Sequence, residues 1–164
     1  MNVQVKVSPL IREWVVANYG SNTIVCRPRD FFSSKLKYLL QLQPHDQHFT
    51  ALPDEECINI NYGKLTIGRW RSLEHKQLNQ NYYTYLSAES QRLLSQEIYR
   101  QFKSSFHGFM LGFCIADGNM PGSYRRGICE FMSRYNLPHN AINYEMLKKN
   151  WDRSAIKATF FKKN

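Results

Sequence analysis

The sequence predicts an α+β protein: a small antiparallel or mixed sheet with N-terminal helices, one long amphipathic helix, and a C-terminal helix-turn-helix-like pair. Three observations carry this. Val3, Val5 and Val7 alternate with polar residues, the period of a half-buried strand. Leu94, Ile98, Phe102, Phe106, Phe109, Met110 and Phe113 recur at three- and four-residue spacing, the pattern of one helix face. Beyond them, two shorter helical patterns flank the break Asn136-Leu137-Pro138-His139-Asn140.

In chain order, Ser8 caps a helix that has Pro9 at its first position and ends at Gly20, with Leu10, Ile11, Trp14, Val15 and Val16 inward. Thr23 to Cys26 reads as a second strand. Asp30 caps a helix running to about Leu42, with Phe32, Leu36, Leu39 and Leu40 on one side. Residues 43–56 read as a surface loop. Cys57 to Ile60 and Lys64 to Ile67 alternate around Asn61-Tyr62-Gly63, which predicts a hairpin. Residues 71–86, rich in tyrosine at their end, read as a connection. Ser87 starts the long helix, which runs to about Ala116. Gly108 and Gly112 weaken it, and their spacing suits close approach of another helix. Ser123 and Asn143 are the expected caps of the last two helices. Residues 1–86 thus form an N-terminal α+β part and 87–164 a helical part, within one continuous domain or as two units.

A chain of 164 residues has room for one domain with a real core, and 43% hydrophobic residues argue against global disorder. Basic residues outnumber acidic ones by 22 to 13, a formal charge of +9. Residues 87–164 hold twelve of the basic and six of the acidic groups. Such a balance favours nucleic acid, anionic lipid or an acidic protein as partner. No cationic segment leads into an apolar run at the N-terminus, and no uncharged apolar stretch approaches the roughly 18 residues of a membrane span. The four cysteines show no CxxC spacing. Cys114 and Cys129 read as small buried residues, and reduced thiols in a cytoplasmic protein fit best.

The cations concentrate on the terminal helix pair. Arg125 and Arg126 stand near the start of its first helix; Lys148, Lys149 and Arg153 lie on the second, and Lys157 extends the stripe toward Lys162 and Lys163. Lys149 and Arg153 share a face. The pattern predicts a nucleic-acid binder, double-stranded DNA first, with phosphates held by Arg125, Arg126, Lys148, Lys149, Arg153 and Lys157. Asn150, with Asn140 and Asn143, offers amides suited to base edges. The break between the helices exceeds the usual turn of about 3–4 residues.

Ile128-Cys129-Glu130-Phe131-Met132-Ser133-Arg134-Tyr135-Asn136-Leu137-Pro138, followed by Ile142-Asn143-Tyr144-Glu145-Met146-Leu147-Lys148-Lys149-Asn150-Trp151-Asp152-Arg153, resembles the C-terminal portion of small proteins carried by bacterial phages and mobile elements. The resemblance covers the last quarter of the chain most closely. It implies a cytoplasmic setting linked to phage or mobile element, where regulators and DNA-handling factors are frequent. It brings no catalytic residues.

Other constellations are weaker. Arg27 and Arg29 beside Asp30 suit an anion or a simple ion pair. His45, Asp46, His48 and Cys57 give only a short His-x-x-His spacing without an assured fourth ligand, and a structural zinc needs a complete set of four, so solvated histidines are expected. His107 reads as a packed or rim histidine. Tyr124-Arg125-Arg126 is too little for a tyrosine recombinase. With no nucleophile, base and orienting residue to name, the sequence predicts no enzyme, no cofactor and no metal. RNA is a second candidate partner, since aromatics stack on unpaired bases. The competing function is a protein-interaction or virion-structural module, and a homodimer through the long helix suits either reading.

Overall fold

The computed structural model describes residues 2–26, 31–44, 52–61 and 82–160. The architecture is α+β, as expected. Strand β1 (Asn2–Lys6) leads into α1 (Pro9–Tyr19), then β2 (Thr23–Val25), α2 (Phe31–Leu39), β3 (Leu40–Pro44), a 3-10 turn (Asp54–Glu56), β4 (Cys57–Asn61) and β5 (Tyr82–Leu86). The helical part follows: α3 (Ala88–Ala116), α4 (Ser123–Arg134), α5 (Ala141–Asp152) and the short α6 (Ala155–Phe160).

Strand β4 is central in a three-stranded sheet of order β1-β4-β2. It runs antiparallel to β1, with Val3 opposite Ile60 and Val5 opposite Ile58, and parallel to β2, with Ile24 opposite Ile60. These side chains are buried. The predicted β4 hairpin partner, Lys64 to Ile67, lies outside the described residues, as do Arg27 to Asp30 and His45 to His48. Two expectations need correction. Helix α2 stops at Leu39, and Leu40–Pro44 pairs antiparallel with Tyr82–Leu86 in a second, two-stranded sheet. Leu-Gln-Leu-Gln has the period of a strand, and Tyr-Tyr-Thr-Tyr has the bulky and β-branched residues that strands favour. The tyrosine-rich run is therefore a strand where a connection was expected.

Helix α1 follows Ser8 with Pro9 in its first turn, but the Ser8 hydroxyl makes no capping bond; Gly20 closes it at φ +74°. The inward stripe is Leu10, Ile11, Trp14 and Val15. Trp14 meets Phe102 edge-on at 5.6 Å, which joins the sheet layer to α3.

At 29 residues and about 44 Å, α3 is the spine of the molecule. The Ser87 hydroxyl caps it by accepting from the Ser90 amide at 3.2 Å. Its buried ridge takes every fourth position: Ser90, Leu94, Ile98, Phe102, Phe106, Met110 and Cys114. The C-terminal half of that ridge packs against α4. Phe131 sits 4.9 Å from Phe106 and 5.4 Å from Phe109, both edge-on, the arrangement that ring quadrupoles favour. Gly127 marks the closest approach, because a Cβ there would lie 3.0 Å from Phe113 Cδ1 and 3.1 Å from Met110 Sδ. Gly108 and Gly112 have open space beside them, so within the described residues they admit no neighbouring helix.

Candidate nucleic-acid interface

Two turns position the cationic helices. The first, between α3 and α4, is built from side chains. Gly122, at φ +84°, takes the cap position, and Ser123 is the first helical residue rather than the cap. The buried Ser123 hydroxyl lies between the Met120 carbonyl, at 2.7 Å, and the Asp117 carboxylate. Arg126 also donates to Asp117 and reaches the Pro121 carbonyl at 3.3 Å. The Ser123 bond first, and Arg126 second, hold the Asp117 carboxyl below the ordinary carboxylate range.

The second turn, between α4 and α5, is built from backbone. Asn136 takes φ +50° and closes a Schellman motif: Leu137 N–H donates to the Met132 carbonyl at 2.8 Å and Asn136 N–H to Ser133 at 3.1 Å. Leu137 is buried. Asn140, not Asn143, caps α5; its Oδ1 accepts from the Asn143 amide at 2.8 Å, while Asn143 Nδ2 donates to the Pro138 carbonyl at 3.0 Å. An extended residue one turn upstream supplies the cap that α5 needs. Two of the three amides suggested for base edges thus brace this turn.

The core fixes which faces remain outside. Ile128, Phe131 and Met132 of α4 and Leu147 and Trp151 of α5 point inward. The predicted contact residues then fall into three settings. Arg126 is tied to the α3–α4 turn. Lys149 on α5 and Arg153 at its C-terminal cap, one turn apart, stand exposed with no carboxylate partner among the described residues. Arg125, Lys148 and Lys157 gather near two tyrosines. Arg125 is exposed and has no ion pair among the described residues. Lys148 lies 3.9 Å from Glu145, one turn away. Lys157 bonds Asp152 and lies 5.9 Å from the centre of the Tyr124 ring. Such exposed pairs are weak, so they leave the cations largely available to a stronger anion.

Tyr144 and Tyr124 join the cations here, and the signal in the sequence is spacing: Tyr144 and Lys148 are one turn apart and Tyr124 precedes Arg125. Burial first, then the nearby Tyr124, raise the Tyr144 phenol above its ordinary range, while Arg125 and Lys148 pull it down. Cys129 belongs to the same neighbourhood and is exposed, against the expectation of a buried thiol. It lies on the outward flank of α4, a turn from Arg125.

Asn150 has another use. Its Oδ1 accepts from the Tyr99 hydroxyl at 3.2 Å and its Nδ2 donates to the Met146 carbonyl at 3.1 Å, which braces α5 against α3. His107 shares that junction. Its ring is 6.3 Å from Trp151, and its Nε2 is buried without a hydrogen-bond partner. Burial holds its pKa below the ordinary histidine value, partly offset by the Asn150 backbone, with Lys103 adding a smaller push downward. Lys103 itself lies over the Tyr99 ring at 5.6 Å.

Among the described residues no cluster of His, Cys, Asp or Glu has the makings of a metal site, and no helix is long and apolar enough to cross a membrane. Cys57 is buried in β4. Compared with protein-family models, with curated proteins and with solved structures, the chain matches none of them.

Proposed function

We propose that the α4–α5–α6 surface binds nucleic acid through its phosphate backbone, DNA before RNA. The observation that carries this reading is a charge imbalance on the exposed faces: Arg125, Lys149 and Arg153 lack carboxylate partners among the described residues, and Lys148 and Lys157 are held only by exposed ion pairs. Asn150 is engaged within the protein, so the support extends to backbone contact rather than to base reading by α5. A phage- or element-linked regulator is the role this reading suggests.

The test is affinity for DNA as a function of salt. With about three to five phosphates neutralised, log K for duplex DNA should fall with log salt at a slope of about −2.7 to −4.5. Lys149→Glu with Arg153→Glu should weaken binding at least about tenfold without loss of fold. A flat salt dependence, or no complex at low salt, overturns the reading.

A second reading, docking of another protein or a second copy on α3, is favoured by Ile115 and Met120, which are 57% and 60% exposed near the end of that helix. Light scattering that returns a monomer at all concentrations rejects self-association through this surface.

A further inference from the structure

Three cations alone suit any polyanion. What distinguishes this surface is the pair of phenol rings among them. Tyr124 is 40% exposed in the first turn of α4, with Arg125 beside it in sequence. The Lys157 ammonium lies 5.9 Å from the Tyr124 ring centre. Tyr144 and Lys148 lie one turn apart on α5, on the flank turned toward α4, close enough for Arg125, Lys148 and the Tyr124 hydroxyl all to act on the Tyr144 phenol. An aromatic platform is thus bordered by positive charge from three helices.

We infer that this platform takes an unpaired base: the site holds single-stranded nucleic acid, with a base stacked on Tyr124 and the flanking phosphates held by Arg125, Lys148 and Lys157. The inference rests on the proposed nucleic-acid reading and narrows its ligand. In a duplex the base faces are covered by their neighbours, so an exposed ring finds nothing to stack on; in a single strand every base offers a π-face. Stacking is indifferent to sequence, which agrees with the engagement of both ends of the Asn150 amide within the protein. The shared chemistry covers unpaired DNA and unpaired RNA. The 2′-hydroxyl and the thymine methyl separate them, and no side chain is assigned to either.

The experiment compares the full chain with labelled oligothymidylate, oligouridylate and a DNA duplex of equal length, by fluorescence anisotropy at low salt. The expected result is tighter binding of both single strands than of the duplex. Tyr124→Leu, which keeps bulk but removes the ring, should weaken single-strand binding about tenfold or more, and Tyr124→Phe should retain it. Duplex affinity should be the same in all three proteins. Preference for only one of the two single strands supports the platform and assigns the natural ligand. Equal affinity for single strand and duplex, with Tyr124→Leu indifferent, overturns the inference and leaves the proposed function standing. No binding to any of them overturns both. A thermal melt of Tyr124→Leu keeps the test valid: should the variant unfold early, the unaltered protein's strand preference and the quenching of its tyrosine fluorescence by oligothymidylate decide, and absence of both overturns the inference.

Discussion

The two turns that flank α4 do similar work with different materials. The α3–α4 turn is held by side chains: Asp117, Ser123 and Arg126 close on one another, and a guanidinium that the sequence offers to a ligand is spent on the fold. The α4–α5 turn is held by the backbone of Asn136 and Leu137 and by an asparagine cap. It uses no charge, and the cations beyond it on α5 stay on the surface. A basic residue therefore cannot be counted toward a binding face until the polar needs of the neighbouring loop have been met.

The largest effect is expected of Leu137→Ala. It removes a buried side chain that anchors the backbone-built turn and should cost about 2–4 kcal/mol in chemical denaturation. Ser123→Ala strikes the other turn. A buried hydroxyl is lost and its partners are left short, so about 1–2 kcal/mol is expected. Asn136→Ala forces a residue with a Cβ and no local hydrogen bond into φ +50°, and should cost about 1 kcal/mol, whereas Asn136→Gly should not.

The sharper contrast is functional. Arg126→Ala should lower stability by no more than about 1 kcal/mol and leave nucleic-acid affinity nearly unchanged. Lys149→Ala should leave the melting curve alone and weaken binding. Equal effects of the two on affinity would erase the distinction between the turns.

Acid offers the mildest probe. His107 is depressed below its ordinary value, so the folded protein binds fewer protons than the unfolded chain. Its contribution is fully present above roughly pH 6.5 and is lost as pH falls toward the folded value. Asp117 is also depressed; its contribution is present above the ordinary carboxylate range of about 4 and is lost below it. Urea midpoints followed across pH should therefore show two separate declines. His107→Asn should remove the upper one, and Asp117→Asn should shrink the lower, which Glu89, held low by its bond from Arg92, shares.

Legibility in the sequence followed the range of the forces involved. The α3 ridge was plain because its seven buried positions repeat locally. The β3–β5 sheet was hidden, because Leu39 and Leu40 satisfy the helical pattern of α2 and the strand pattern of β3 equally, and the tie is resolved by a partner more than forty residues away. At the site, the positions of the cations could be read and most of their partners could not. Glu145 with Lys148 is visible as a one-turn spacing. Asp117 with Arg126 spans a turn, and Tyr99 with Asn150 spans 51 residues, so neither has a local signature. In the sequence Asn140 reads as an amide for base edges, because an asparagine that caps and an asparagine that is free look alike until the helix start is fixed.

Gly127 ties these matters together. A Cβ there would press on Met110 and Phe113, and alanine would require both side chains to yield by a few tenths of an ångström. A valine would lever α4 outward, and Tyr124 and Arg125, less than one turn upstream, would ride with it. The height of the aromatic ring above its neighbouring charges is thus set from underneath, by hydrogen where every other amino acid carries carbon.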